Sequence, residues 1–182
     1  MVKLISNRLI IRDYNIDDLE KYPDIFTDEN VTYYLQNILR KSTEEYKERL
    51  MNYIDDQKSG ERKYYFFGIE EKYSNDLIGE IGYAVSNNTH YGKLVHLRYF
   101  IKKYCWNKGY TTEALQKVLE YAFEENNVYR IHTGCYKENI YSERIMIKCG
   151  FIKEAEFKEY ELHDGKLKDR VEYRLLRSEW KK

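Results

Sequence analysis

Tyr99-Phe100-Ile101-Lys102-Lys103-Tyr104-Cys105-Trp106-Asn107-Lys108-Gly109-Tyr110-Thr111-Thr112-Glu113-Ala114-Leu115 is the stretch on which the reading of this chain turns. It predicts an apolar strand, a short polar turn with one glycine, and a helix whose apolar face continues through Val118, Leu119, Ala122 and Phe123. A strand that enters a helix this way aims the helix's free N–H groups and positive dipole end at one spot. That spot suits a phosphate or pyrophosphate. The plain alternative is a βα turn tightened by glycine. The stretch is not a nucleotide P-loop, because Lys108 is followed by Gly109 and not by Ser or Thr. A single glycine also rules out the dinucleotide G-x-G-x-x-G pattern.

The surroundings narrow the class. With 182 residues the chain reads as one domain, residues 1–182, large enough for a substantial core. Thirty-one basic and thirty-one acidic residues cancel, so no general attraction for nucleic acid or an anionic membrane is expected. Cys105, Cys135 and Cys149 are odd in number and lack C-x-x-C spacing, which fits reduced thiols in a cytoplasmic protein. No apolar run of about 18 residues exists, and Ser6-Asn7-Arg8 interrupts the first five residues, so neither a membrane span nor a signal peptide is expected. His90, His132 and His163 are scattered without metal-ligand spacing, and no metal is expected. Most of the twenty tyrosines read as framework.

Taken in order, residues 8–12 are β-like, and Asn15 caps a helix to about Phe26 that Pro23 bends or divides. Ser42-Thr43-Glu44-Glu45 fits a capping box, opening a helix with Tyr46, Leu50, Tyr53 and Ile54 on one face and Gly60 at its close. Strands follow over residues 64–70, 77–85 and 94–102, with turns at Ser74-Asn75-Asp76 and Asn87-Asn88. After the central helix come a strand over residues 130–136 and a helix from Asn139 to Lys148 that Gly150 ends, with Phe151 as its apolar partner. Asp164-Gly165 then joins strands 151–162 and 167–176 as a hairpin. Hairpin-linked strands followed by a βαβ unit predict an α/β (α+β) architecture, a mixed and mostly antiparallel sheet of six to seven strands with helices on its faces.

With that order in view, the chain resembles the GNAT superfamily of acyl-CoA-dependent N-acetyltransferases, and most of all its branch of ribosomal-protein alanine acetyltransferases. The resemblance runs from Asn7-Arg8-Leu9-Ile10-Ile11-Arg12 to Glu172-Tyr173-Arg174-Leu175. Its specific parts are Trp106-Asn107-Lys108-Gly109-Tyr110-Thr111-Thr112-Glu113-Ala114 and, about 30 residues on, Asn139-Ile140-Tyr141-Ser142 with Lys148-Cys149-Gly150-Phe151. It implies acetyl-CoA as co-substrate. Trp106 to Thr111, including Asn107, Lys108, Gly109 and Tyr110, would wrap the pyrophosphate. Phe100, Ile101 and Lys103 would lie beside the pantetheine arm, with the Phe100 and Ile101 amides near the thioester carbonyl. Asn139 and Ser142 match the family's second cofactor contact, although Asn139 also reads as an ordinary helix cap. Asn107 and Thr111 stand where the family usually has Gly and Gly or Ala. Asparagine tolerates the left-handed backbone this requires.

Transfer to an amine needs a neutral amine and a proton for the leaving thiolate. His96 falls where this branch often has an acid, and histidine is matched to proton transfer near neutrality. A half-exposed strand histidine is the bland alternative. Glu80 is the second candidate, with a solvent-facing carboxylate as its alternative. Arg98 replaces a usual glycine and either narrows the acceptor site or charges it. The tyrosine acid of many family members would fall at Met146. Tyr141 lies one residue off its face, and Ser142 is the better substitute. Glu113 reads as an early-helix acid that favours the dipole. The segment 30–60 would cover the acceptor, with Tyr33, Tyr34 and Gln36 lining it or simply packing. The expected partner is a peptide N-terminal amine or a small-molecule amine, with the chain a monomer or homodimer. A non-catalytic acyl-CoA-binding module is the rival, and a nucleic-acid-binding domain fits poorly with zero net charge.

Overall fold

In the computed structural model, residues 1–35 and 42–180 are described. Eight strands form a single sheet: β1 (Lys3–Ile5), β2 (Leu9–Arg12), β3 (Tyr64–Glu71), β4 (Leu77–Thr89), β5 (Gly92–Ile101), β6 (Val128–Tyr136), β7 (Ile152–His163) and β8 (Lys166–Leu176). Their order is β1-β2-β3-β4-β5-β6-β8-β7, and every neighbouring pair is antiparallel except β5–β6. The mixed sheet expected from the sequence is therefore present with one strand more than the upper expectation. The addition is β1, a three-residue edge strand before the polar Ser6-Asn7 turn, too short to show a period.

Both faces of the sheet are covered, which explains why Leu77 to Tyr83 on the central strand β4 are all buried. On one face the helix α3 (Tyr110–Glu120) brings Ala114, Leu115, Val118 and Leu119 against Ile81, Tyr83 and Leu97, with Met146 of α4 (Ile140–Lys148) in the same core. On the other face α2 (Thr43–Asp56) packs Tyr46, Leu50, Tyr53 and Ile54 with Phe26, Phe66 and Phe100. The Ser42–Glu45 capping box forms in both directions, at 3.2 and 2.7 Å. Helix α2 ends at Asp56, ahead of Gly60.

The helix expected over residues 15–26 is two separate 3-10 turns, Ile16–Asp18 and Pro23–Phe26, followed by the short α1 (Glu29–Thr32). Pro23 can only begin a helical turn, and the Asp18 carboxylate is held by Arg12 at 2.8 and 2.9 Å. The turn expected at Asn87-Asn88 is instead paired strand, and the hairpin closes at Thr89, whose hydroxyl donates to Gly92 O at 2.7 Å. A bulge after Val85 shifts the register and hides this continuation from sequence periodicity. At the other end, Phe151 N–H reaches Met146 O and Gly150 N–H reaches Ile147 O, the paired bonds of a left-handed helix stop at Gly150 (φ +87°). The Asp164-Gly165 hairpin has positive φ at both residues, 50° and 72°.

Candidate active site

The parallel pair β5–β6 is short. Lys93 to His96 pair with Val128 to His132, and no pairing continues beyond. β5 stays with β4 as far as Ile101, and β6 stays with β8 as far as Tyr136. Two strands held by different partners must part, and the fork opens into a cleft of about 740 Å³. Thr133 Oγ1 ties its base by donating to Leu97 O at 3.1 Å. Backbone direction follows from alternation. Lys102 N–H donates to Ile78 O on β4 at 2.7 Å, so Phe100 and Arg98 also point their peptide groups at β4. Leu97, Tyr99 and Ile101 point theirs into the fork. The Leu97 carbonyl is taken by Thr133 and the Ile101 carbonyl by Trp106 Nε1 at 2.9 Å, leaving the Tyr99 and Ile101 N–H groups toward the cleft. The expectation for the Phe100 amide is thus corrected by strand parity.

At the fork's mouth the chain makes a 3-10 turn over Lys103–Cys105 and enters α3 through Asn107 (φ +59°) and Gly109 (φ +78°). Asparagine does take the left-handed conformation that the glycine-poor turn needs. Gly109 occupies the N-cap and offers no side chain, so the first amides of α3 are uncapped and open to an anion. Arg8 braces this turn from β2's end. Its guanidinium donates to Lys108 O at 2.9 Å, pairs with Glu113 at 2.7 Å, and lies 4.4 Å from the Tyr110 ring centroid. Ser6 and the Arg8 amide also donate to Glu113, each at 2.8 Å, and these bonds lower its pKa against an opposing desolvation. Glu113 is an anchor for Ser6 and Arg8, where its sequence position implied only an early-helix acid.

The opposite wall is α4. Asn139 Oδ1 caps it by accepting Ser142 N–H at 3.1 Å. Ser142 Oγ lies 3.0 Å from the Tyr99 hydroxyl, which also donates to Ser142 O at 3.1 Å. Burial raises the Tyr99 phenol, opposed by the Ser142 bond, so it stays protonated. Met146 is fully buried in the core, while Tyr141 lines the cleft despite its expected misalignment.

Two candidates on the sheet have different fates. His96 lines the cleft at the fork's base and stacks on its register partner His132 at 4.9 Å. Water reaches its ring, yet the cleft walls desolvate it, and His132, Arg170 and Arg98 repel a proton. Together these push its pKa down to about 4, leaving it neutral at pH 7. Glu80 is fully buried and does not line the cleft. Its Oε2 accepts from Tyr22 at 2.8 Å and Tyr14 at 3.3 Å, and its Oε1 accepts from Arg49 at 3.2 Å and Arg98 at 3.1 Å. It is neither solvent-facing nor free to reach an acceptor. Arg98 stretches over Phe66 at 4.3 Å to join it, which is how a large cation fits at a position expected to be small.

A forked parallel pair beside an uncapped helix N-terminus agrees with what sequence comparison returns. A family model for the acetyltransferase (GNAT) domain matches residues 8–152, well over half of the chain. The chain belongs to the GNAT acetyltransferase family.

This GNAT chain is 28% identical over 178 residues to the uncharacterised N-acetyltransferase YoaA of Bacillus subtilis (strain 168), covering 96% of each chain. It superposes on the ribosomal-protein-S5-alanine acetyltransferase of Vibrio fischeri with TM-score 0.85 at 20% identity, covering 100% of both chains. The spermidine N-acetyltransferase of Vibrio cholerae, solved with CoA and spermine, gives 0.83 at 21% identity, over 96% of this chain and 98% of that one. Both identities show a shared fold. The protein is a GNAT acyltransferase of the N-acetyltransferase class.

Of the residues read from sequence, the cleft gathers His96, Phe100, Ile101, Trp106, Asn107, Gly109, Tyr110, Thr111, Asn139 and Ser142, with Tyr33 and Tyr34. Lys103 and Lys108 do not line it; both are exposed. Gln36 lies outside the described residues. Sequence reading missed the Tyr99 hydroxyl, Tyr136, Arg144, Glu161 and Arg170 on the cleft walls. Tyr99 was legible in principle, because strand parity places it two residues from Ile101 on the same side.

Proposed function

We propose that this GNAT enzyme transfers the acetyl group of acetyl-CoA to a primary amine by direct attack in a ternary complex. One observation carries the reading: the β5–β6 fork opens beside the uncapped N-terminus of α3. The residues fit the co-substrate. The Asn107 and Gly109 conformations turn backbone amides toward one concavity, where Tyr110, Thr111 and Thr112 N–H groups hold a pyrophosphate. The Tyr99 and Ile101 peptide groups then offer strand-like pairing to the pantetheine arm and a donor to the carbonyl oxygen of the acetyl group. When bound, acetyl-CoA supplies an activated acyl carbon.

The amine enters from the α1 side, past Tyr33 and Tyr34. His96, neutral at pH 7, accepts a hydrogen bond from the amine and orients it. The amine's proton leaves through cleft water to solvent, and the nitrogen forms a C–N bond as the C–S bond breaks. Ser142 Oγ, held by the Tyr99 hydroxyl, relays a proton to the departing thiolate and regains one from cleft water, which balances the proton the amine sheds to solvent. Glu80 takes no proton in this scheme; it holds Arg98 and the α2 face in place. The relatives' acceptors include a ribosomal-protein alanine and spermidine, so both a peptide α-amine and a small amine belong to the class tested. The balanced net charge gives no general attraction for nucleic acid or an anionic membrane, and three free, buried cysteines fit a cytoplasmic enzyme.

The test is thiol release from acetyl-CoA against a panel of small amines and short peptides, beside His96→Ala and Ser142→Ala. Turnover with wild type, lost in His96→Ala while acetyl-CoA still binds, is expected. Full activity in His96→Ala would remove that residue from the scheme. Bound acetyl-CoA with silence across the panel would favour a non-catalytic binding module.

A further inference from the structure

The acceptor end of the cleft carries a charge pattern that acetyl transfer does not use. Its wall is built of rings. Tyr33 and Tyr34 meet edge to face at 4.8 Å, and Tyr34 lies 6.3 Å from Tyr136. His163 backs Tyr33 and Tyr136 at 4.6 and 5.1 Å. Glu161 stands on the same wall, close enough for its charge and its hydrogen bond to raise the Tyr136 phenol beyond what burial does. A bulge in β7 presents it there. Between the pairs Phe157↔Arg170 and Glu161↔Lys168, Lys158, Glu159 and Tyr160 face Asp169 alone, with Glu159 left-handed at φ +48°. Such a bulge re-aims the residue that follows it.

Lys168, Arg170 and Arg98 are already matched. Lys168 donates to both oxygens of Glu138 at 2.9 and 2.7 Å, Arg170 pairs with Glu172 at 2.5 Å, and Arg98 pairs with Glu80 at 3.1 Å. Among the described residues Glu161 has no such ion pair. An unmatched carboxylate beside aromatic faces suits an ammonium or guanidinium, which gains the charge contact and the ring quadrupoles together. We infer that Glu161, with Tyr33, Tyr34 and Tyr136, is a subsite for a second cationic group of the acceptor, so that the preferred substrate is an amine bearing another positive charge. This rests on the acetyltransferase reading. The reacting nitrogen must shed its charge to attack, whereas the second group keeps its charge and can be held by it. A monoamine fills either the subsite or the place beside His96, whereas a diamine spans both and binds more tightly.

Binding separates this inference from the reaction. Calorimetric titration of 1,4-diaminobutane and n-butylamine into the CoA-loaded protein, with coenzyme-only titrations subtracted, reads the preference without turnover. A lysyl dipeptide and its norleucyl counterpart form a second arm that tells a peptide acceptor from a small amine. The dication is expected to bind about tenfold tighter than its monoamine, a difference of about 1.4 kcal/mol. Glu161→Gln should abolish the preference. Tyr34→Leu, which changes no charge, should weaken the dication several-fold. Equal binding of the pair in both arms by wild type, or a preference that survives Glu161→Gln, overturns the inference. Preference without transfer would sink the acetyltransferase reading alone, and transfer without preference would sink the subsite alone.

Discussion

Glu80→Gln is the substitution that separates an anchor from a base. The amide keeps the shape of the carboxylate and one accepting oxygen, but it removes the charge that compensates Arg49 and Arg98. Arg49, with a side chain 13% exposed, is left almost buried without a counter-ion, while Arg98 at 29% can rehydrate from the cleft. Removing one member of a buried ion pair costs about 3–5 kcal/mol. The retained shape and the rehydration of Arg98 place this case at the lower end, ~3 kcal/mol. For a chain of this size each kcal/mol lowers Tm by about 2–4 °C, so a fall of ~6–12 °C is expected. Urea and thermal unfolding measure it, and thiol release at 25 °C measures activity on the same sample. The folded variant should keep kcat within about threefold of wild type. A Tm unchanged to about 2 °C, which is under 1 kcal/mol, with kcat down about 100-fold or more would refute the reasoning and make Glu80 the base.

The depressed His96 pKa has a pH consequence. A neutral folded histidine binds fewer protons than the unfolded chain, so its stability contribution is complete above the unfolded value near 6.5 and is lost as pH falls toward about 4. His132 shifts the same way, chiefly by desolvation, so His96→Gln should flatten only part of the acid limb of a Tm-against-pH curve, and an unchanged limb would refute the shift. Ser142→Ala should lower kcat by about 100-fold with little change in KM for acetyl-CoA, and Tyr99→Phe should lower it less; steady-state kinetics decide, and an unchanged kcat in Ser142→Ala removes it as the acid. Arg8→Ala unties Lys108 O and Glu113, so KM for acetyl-CoA should rise several-fold, about 1 kcal/mol, with kcat nearly constant. A fall in kcat alone would show that Arg8 does not brace the turn.

Much of the fold was legible because its signals are local. The Ser42–Glu45 box, the Gly150 stop with Phe151, the Asp164-Gly165 turn and the stripe from Ala114 to Leu119 depend on residues a few positions apart, and each formed where the sequence put it. Ala122 and Phe123 extend the stripe from a π-helical turn over Tyr121–Glu125. The turn at Asn107 to Gly109 was legible for the same reason, since few residues adopt left-handed backbone there. The length of the first helix was not legible, because Arg12 competes for Asp18 from a neighbouring strand.

The site divides along the same line. By itself the sequence determined the strand–turn–helix that presents free amides, and the family whose chemistry uses them. Only the tertiary structure decided which side chains serve it. Alternation turned the Phe100 amide toward β4 and the Tyr99 amide into the fork. Burial among Tyr14, Tyr22, Arg49 and Arg98 made Glu80 an anchor, and a bulge carried Glu161 to the cleft from β7. Those assignments depend on partners tens of residues away, whose desolvation and charge act only once the sheet has closed around them.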